Sequence, residues 1–334
     1  MTFFDDNQLN PPNHDSDTRP SAEESPACSP AEPLPSSLAG DAFLSAALPP
    51  PPDSNSFFPE DLRVSWSWLH LILFSVFGLI SFFVVQFAFL VYYTPPNRHF
   101  ANKQEFEQFV FSKPFFAIGG MVVWELSLIL FLYVTISVLP NALFWRSLGW
   151  REIRSPDPAH PPSPWRYLLS GCALSIGVFI VTAKTKAPEN APIEELFKHR
   201  STMFLFMAMA VLFAPLVEET LFRGYLFPFL ARFSSALARA FGVDSATAVR
   251  RGITAGIVLT GVLFGLVHGY QLGWSTTLVL TLTAVGIILT YVRARTGSVY
   301  ASFLLHLGYN STIAVATIIG YFATKGFTHM PPGH

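Results

Sequence analysis

Seven runs of apolar residues, nearly free of charge, follow one another from Trp66 to the end of the chain and leave few folds open. They lie near 66–93, 115–139, 167–183, 203–230, 253–269, 275–292 and 299–323. A helix rises about 1.5 Å per residue, so about 20 residues cross a bilayer core, and the runs average close to that length. None alternates with a period of two, which excludes a transmembrane β-barrel. The chain is 51% hydrophobic and 13% charged, where a soluble domain carries roughly 25% charge. The expected fold is all-α, a polytopic membrane protein with about seven transmembrane helices.

The regions outside the spans read differently. Residues 1–62 are expected to be a disordered tail, holding twelve of the 27 prolines, the run Pro49–Pro52 and the pair Glu23–Glu24. Such a segment buries too little apolar surface to offset its ordering entropy, and serves as a tether or a polyproline segment for a partner. The start is acidic and lacks the basic and apolar regions of a cleavable signal, so the first span is expected to act as an uncleaved anchor. Residues 63–114 then form the first span and a loop, 115–325 the main domain, and 326–334 a short tail. Cys28 and Cys172 provide neither a disulfide framework nor metal-ligand spacing. The formal net charge of −1 offers nothing to a nucleic acid.

Orientation follows from the basic residues. With seven spans, twelve Arg fall on the tail's side, among them Arg232, Arg239, Arg250 and Arg251 in an expected 231–252 loop, and eight Lys or Arg on the other. This favours a cytoplasmic N-terminus and a plasma (inner) membrane. Trp66, Trp68, Tyr92, Tyr93, Trp165 and Tyr167 fall at span ends, where aromatic belts belong. Phe106, Phe109 and Val110, like Ile193, Leu196 and Phe197, are spaced for short amphipathic stretches that lie in the interface or rest on the bundle. Gly252 and Gly256, then Gly261, Gly265 and Gly269, are spaced by four for close helix contact.

The polar residues inside the spans carry the functional information. An ionised carboxylate in mid-membrane costs several kcal/mol at least, about 3 on insertion scales. Glu218 and Glu219 sit together inside the fourth span, followed by Arg223. On a helix Glu219 and Arg223 share a face and neutralise each other, while Glu218 is turned away by about 100° and is free to act. Pro215 removes a helix hydrogen bond just before them. By contrast, Glu194–Glu195 lies in a loop beside Lys198 and Arg200 and reads as solvated. His268 ends the fifth span with Phe264 four residues before it, and His306 and Asn310 share one face of the seventh. Counted from Arg232, Arg251 and Arg295, Glu218, His268, Asn310 and His306 fall about 21, 25, 22 and 16 Å deep. That is one layer near mid-membrane. Glu125 lies mid-span in the second run and is expected to pair with Arg223, competing with or bridging to Glu219, or else to be a functional group.

Glu218-Glu219-x-x-x-Arg223, Phe264-x-x-x-His268 and His306-x-x-x-Asn310, complete, in order and on separate spans, resemble the three motifs of the CAAX prenyl protease 2 and bacteriocin-processing (Abi) family of intramembrane glutamic endopeptidases. The resemblance covers about residues 115–323. It implies Glu218 as general base, His268 holding or deprotonating water, His306 and Asn310 stabilising the oxyanion, and Glu219 and Arg223, with Phe264, organising the site. It implies no cofactor, and a membrane-associated, in some members lipidated, protein or peptide substrate met in the bilayer. Two Glu and two His also suit zinc, although no HExxH is present. A carboxylate-based transporter and a non-catalytic immunity or chaperone protein remain as readings of another class.

Overall fold

The computed structural model describes residues 57–111, 113–154, 162–185 and 200–328, all within one unit, Asp53–His334. The proline run, Cys28, Glu23–Glu24, Glu194–Glu195 and the stretch Ile193–Phe197 lie outside the described residues. Among the described residues there is no strand. A single 3₁₀ turn, Glu60–Leu62, precedes the helices. These are α1 (Trp68–Tyr93), α2 (Lys103–Phe111), α3 (Pro114–Leu132, continued by Tyr133–Val138), α4 (Phe144–Ser147), α5 (Pro164–Thr182), α6 (Arg200–Ala240), α7 (Ser245–Val267), α8 (Thr276–Thr296) and α9 (Val299–Thr328). Seven of them are long and apolar enough to cross a membrane, at the expected places.

The fourth span is longer than its apolar pattern. α6 runs 41 residues, about 60 Å if fully helical, so its ends project beyond a core about 30 Å thick. No breaker occurs between Pro228 and Gly242, and Ala- and Leu-rich sequence carries the helix through Ala240. The expected 231–252 loop is thus only Phe241–Asp244. Asp244 caps α7 by accepting from Thr247 N–H, a bond that holds its carboxyl below the usual range.

Proline shapes the helices. In three places the helix widens to i→i−5 bonding: Tyr133–Val138, Met209–Phe213 and Glu219–Leu226. Each stretch stands just before a proline, Pro140, Pro215 and Pro228. Proline lacks the N–H and its ring strikes the carbonyl four residues back, so a wider turn moves that carbonyl away.

Close helix contact supplies much of the packing, and α9 against α5 is the tightest case. A Cβ on Gly171 would lie 1.9 Å from Leu305 O, and one on Gly308 2.0 Å from Leu168 O. Gly308 lies between His306 and Asn310 in sequence but about 200° round the helix from each, so its bare backbone meets α5 behind the polar face. Gly252 and Gly256 meet Ala231 of α6, whereas Gly261 and Gly265 meet Ile287 and Thr283 of α8, so the glycine stripe of α7 serves two neighbours. Gly269 lies past the helix, against Trp274. On α2, Phe106 and Phe109 pack on Phe100, and Phe109 also on Phe116 of α3, so this stretch rests on the bundle.

The segment before α1 is part of the fold. Phe58 and Leu62 are buried with Phe227 and Ala231 of α6, which moves the end of the expected tail to before Phe57. Asp61 accepts from Arg293 at 2.7 Å, with both side chains nearly inaccessible, and from Arg154 at 3.3 Å. Trp66, expected in an interfacial belt, is buried instead: it stacks on Tyr225 and donates to the Tyr225 carbonyl. Trp68, Tyr92 and Trp165 are exposed, as a belt requires. His70 joins α1 to α3 and α6. Thr135 donates to Phe131 O, so it accepts from His70 Nε2, and His70 Nδ1 accepts from Tyr225 OH at 2.7 Å. Replacing Asp61 by Ala should leave Arg293 buried and unpaired, at about 3–5 kcal/mol. A clear fall in Tm by scanning fluorimetry in detergent is expected.

Candidate active site

Glu219 and Arg223 share one face of the widened stretch of α6, and both are fully buried. Arg223 Nη1 lies 3.0 Å from Glu219 Oε1, and Nη2 donates to Gly286 O on α8 at 3.2 Å. The guanidinium also stands 4.4 Å over the ring of Phe264 on α7, a favourable cation–π contact once desolvated. Arg223 is therefore held by groups on α6, α7 and α8, with its Nε left without an acceptor among the described residues. The expected competition from Glu125 for Arg223 does not occur: Arg223's carboxylate partner is Glu219.

Glu218 is turned the other way and keeps about a fifth of its side chain accessible, unlike Glu219. Two imidazoles flank it: His268 Nε2 lies 3.7 Å from Oε1 and His306 Nε2 3.8 Å from Oε2. Each ring is held by its other nitrogen. His268 follows the last residue of α7, and its Nδ1 donates to the Phe264 carbonyl at 2.7 Å, one of the acceptors a helix C-terminus leaves open. His306 Nδ1 donates to Glu219 Oε1 at 3.0 Å. A carbonyl and a carboxylate only accept, so both rings carry a proton on Nδ1 and turn Nε2 to Glu218. Phe264 packs beneath both, its ring centre 4.6 Å from His268 and 5.9 Å from His306.

Asn310 has a different immediate partner. Its Nδ2 donates to the Ala210 carbonyl at 2.8 Å. In the widened turn Ala214 N–H reaches back five residues to Met209 O, and the next donor in that register, for Ala210 O, is Pro215, which has none. The Asn310 amide supplies the missing hydrogen, leaving its second N–H for other work. Trp150 Nε1 meets Thr220 Oγ1 at 3.1 Å, bracing the helix beside the carboxylates.

The structure thus brings Glu218, His268 and His306 together, with Glu219, Arg223 and Phe264 behind them, while Asn310 holds α6 one turn further along α9. Sequence reasoning missed the Ala210 and Gly286 carbonyls and Trp150, since no periodicity marks a distant acceptor; Pro215 was the available signal. Among the described residues no group of three or more His, Cys, Asp or Glu side chains is arranged to hold a metal ion.

Residues 200–312 match the family model described as Rce1-like, type II CAAX prenyl endopeptidase. No curated protein and no solved structure matches the chain. The match covers α6, α7, α8 and the part of α9 that carries His306 and Asn310. Asn310→Ala should leave the Ala210 carbonyl without its donor, at about 1–3 kcal/mol. A lowered Tm alongside any loss of activity is expected; an unchanged Tm would leave the amide no structural duty.

Proposed function

We propose, on the premise that residues 200–312 are a Rce1-like domain, that this multi-pass membrane protein is an endopeptidase working by a glutamate-activated water. The observation that carries the reading is Glu218, partly accessible in a buried setting, between two imidazole Nε2 atoms anchored on separate helices. Amide hydrolysis needs a base beside the attacking water and donors beside the developing oxyanion. Glu218 takes the proton of that water. His268, with its Nε2 lone pair turned to Glu218, holds the water by accepting its second hydrogen.

Two donors serve the oxyanion side. The free N–H of Asn310 is one. His306 donates from Nε2 only as the imidazolium, whose charge Glu219 compensates through Nδ1. The proton on Glu218 then passes to the leaving nitrogen as the C–N bond breaks. Glu219, Arg223 and Phe264 do not touch the peptide; they fix the rotation of α6 and the ring planes of both histidines. The substrate class that fits is a membrane-associated protein or peptide, of the kind a CAAX endopeptidase receives after lipidation, cut where the chain enters the bilayer. The tally of arginines supports a cytoplasmic N-terminus.

Glu218→Gln and His268→Ala should each reduce proteolysis by at least about a hundredfold, with the protein inserted and its Tm near that of the wild type. Membrane proteomics of wild type against Glu218→Gln tests this: uncleaved precursors should accumulate in the variant. Identical proteomes would favour a non-catalytic protein on the same bundle. Activity is also expected to survive chelation; loss on chelation and recovery with zinc would replace this mechanism by a metal-dependent one.

A further inference from the structure

One buried carboxyl near the centre has no part in the mechanism above. Glu125 lies on α3, outside the matched residues 200–312. Only 9% of it is exposed, and among the described residues its Oε2 has no hydrogen-bond partner. It belongs to the inward face of α3, with Ile118, Leu128 and Leu132, all buried. α3 packs against α6 over Arg200–Ala208 and Ala214–Glu218, the stretch that ends on the proposed base. Through this packing Glu125 comes within electrostatic reach of Glu218 on α6 and His268 on α7. Arg223 and His306 stand behind Glu218 and are engaged by Glu219. From α1, the titratable His70 is taken up by Tyr225 and Thr135, and from α2, Glu105 is paired with Arg98 at the far end of α3. Among the described residues no Lys or Arg pairs with Glu125, and a carboxyl buried without a salt-bridge partner is costly to keep in a membrane without use.

Peptide hydrolysis supplies a use. The water oxygen bonds to the carbonyl carbon, and one water proton goes to Glu218. The C–N bond breaks, and the nitrogen leaves with that proton. The new carboxylic acid then sheds its own proton, and the new amine takes one up to become an ammonium. A second proton therefore crosses the site in every turnover, while Glu218 serves the first. We propose that Glu125 is a third carboxyl of this centre, which takes up and returns that second proton through Glu218 and His268. This rests on the proteolytic reading. Glu125 acts through the two side chains and not on the peptide, and so is a positioning residue.

The test compares the wild type with Glu125→Gln, Glu125→Asp and Glu218→Gln in detergent or nanodiscs. With a substrate found by the proteomic comparison, Glu125→Gln should lower kcat about tenfold or more, leave KM within about twofold, and displace the pH–rate profile, whereas Glu125→Asp recovers most of the rate. Carboxyl-band infrared titration is the second readout and needs no turnover: the Glu125 band should move in Glu218→Gln, and the Glu218 band in Glu125→Gln. Wild-type kcat and profile in Glu125→Gln would overturn the proposal, as would independent infrared bands. If Glu125→Gln unfolds, Glu125→Asp with an unchanged profile overturns it equally. A wild type that cleaves nothing, with coupled bands, would sink the proteolytic reading and leave the coupling standing; with uncoupled bands both fail.

Discussion

Burying a guanidinium and a carboxylate in an apolar bundle is tolerable only as a pair, and Glu219 with Arg223 is that pair here, with Glu219 Oε2 and Arg223 Nε left without a hydrogen-bond partner among the described residues. Everything around the candidate site leans on it. Arg223 spends one nitrogen on Gly286 O of α8 and lays its face on Phe264 of α7. Glu219 accepts a hydrogen bond from His306 Nδ1 on α9. The pair therefore fixes the rotation of α6 against three helices and sets which imidazole nitrogen looks at Glu218. Substituting either member would leave an uncompensated charge, and substituting Glu219 would also release His306, so stability and site geometry are tied to the same atoms.

A second constraint is the backbone of α6. Its prolines remove helix donors where the chain can least replace them with water, and the helix answers by widening. One carbonyl so released, at Ala210, is met by Asn310. A residue whose motif implies an oxyanion role thus also serves the helix that carries the carboxylates. The two duties are compatible because a primary amide has two hydrogens.

Legibility from sequence divided along the same lines. The spans were visible from hydropathy, and the i, i+4 face of Glu219 and Arg223 followed from the helical period. The split between a paired and a freer glutamate is seen in their burial, nil for Glu219 against about a fifth exposed for Glu218. The ends of elements were less visible. The helix past Leu230 and the packed strap around Asp61 escaped because polar, amphipathic sequence reads alike in a loop and in a helix end at the membrane surface. The Asp61–Arg293 pair joins residues 232 apart, and no local pattern reports such a distance. Likewise Trp66 had an aromatic's usual place at a span end, but Tyr225 gave it a buried one.

By itself the sequence determined that this chain crosses a membrane as helices and that charge inside them must be compensated, because length, hydropathy and helical period are local properties of the chain. Only the tertiary structure decided which groups meet. It turned both Nε2 atoms toward Glu218, paired Arg223 with Glu219, spent one hydrogen of Asn310 on Ala210 and, among the described residues, left Glu125 buried with one oxygen unpartnered. Those outcomes depend on helix rotation and on close approaches such as Gly308 against Leu168 O, which are set by packing among distant segments and have no signature in any one of them.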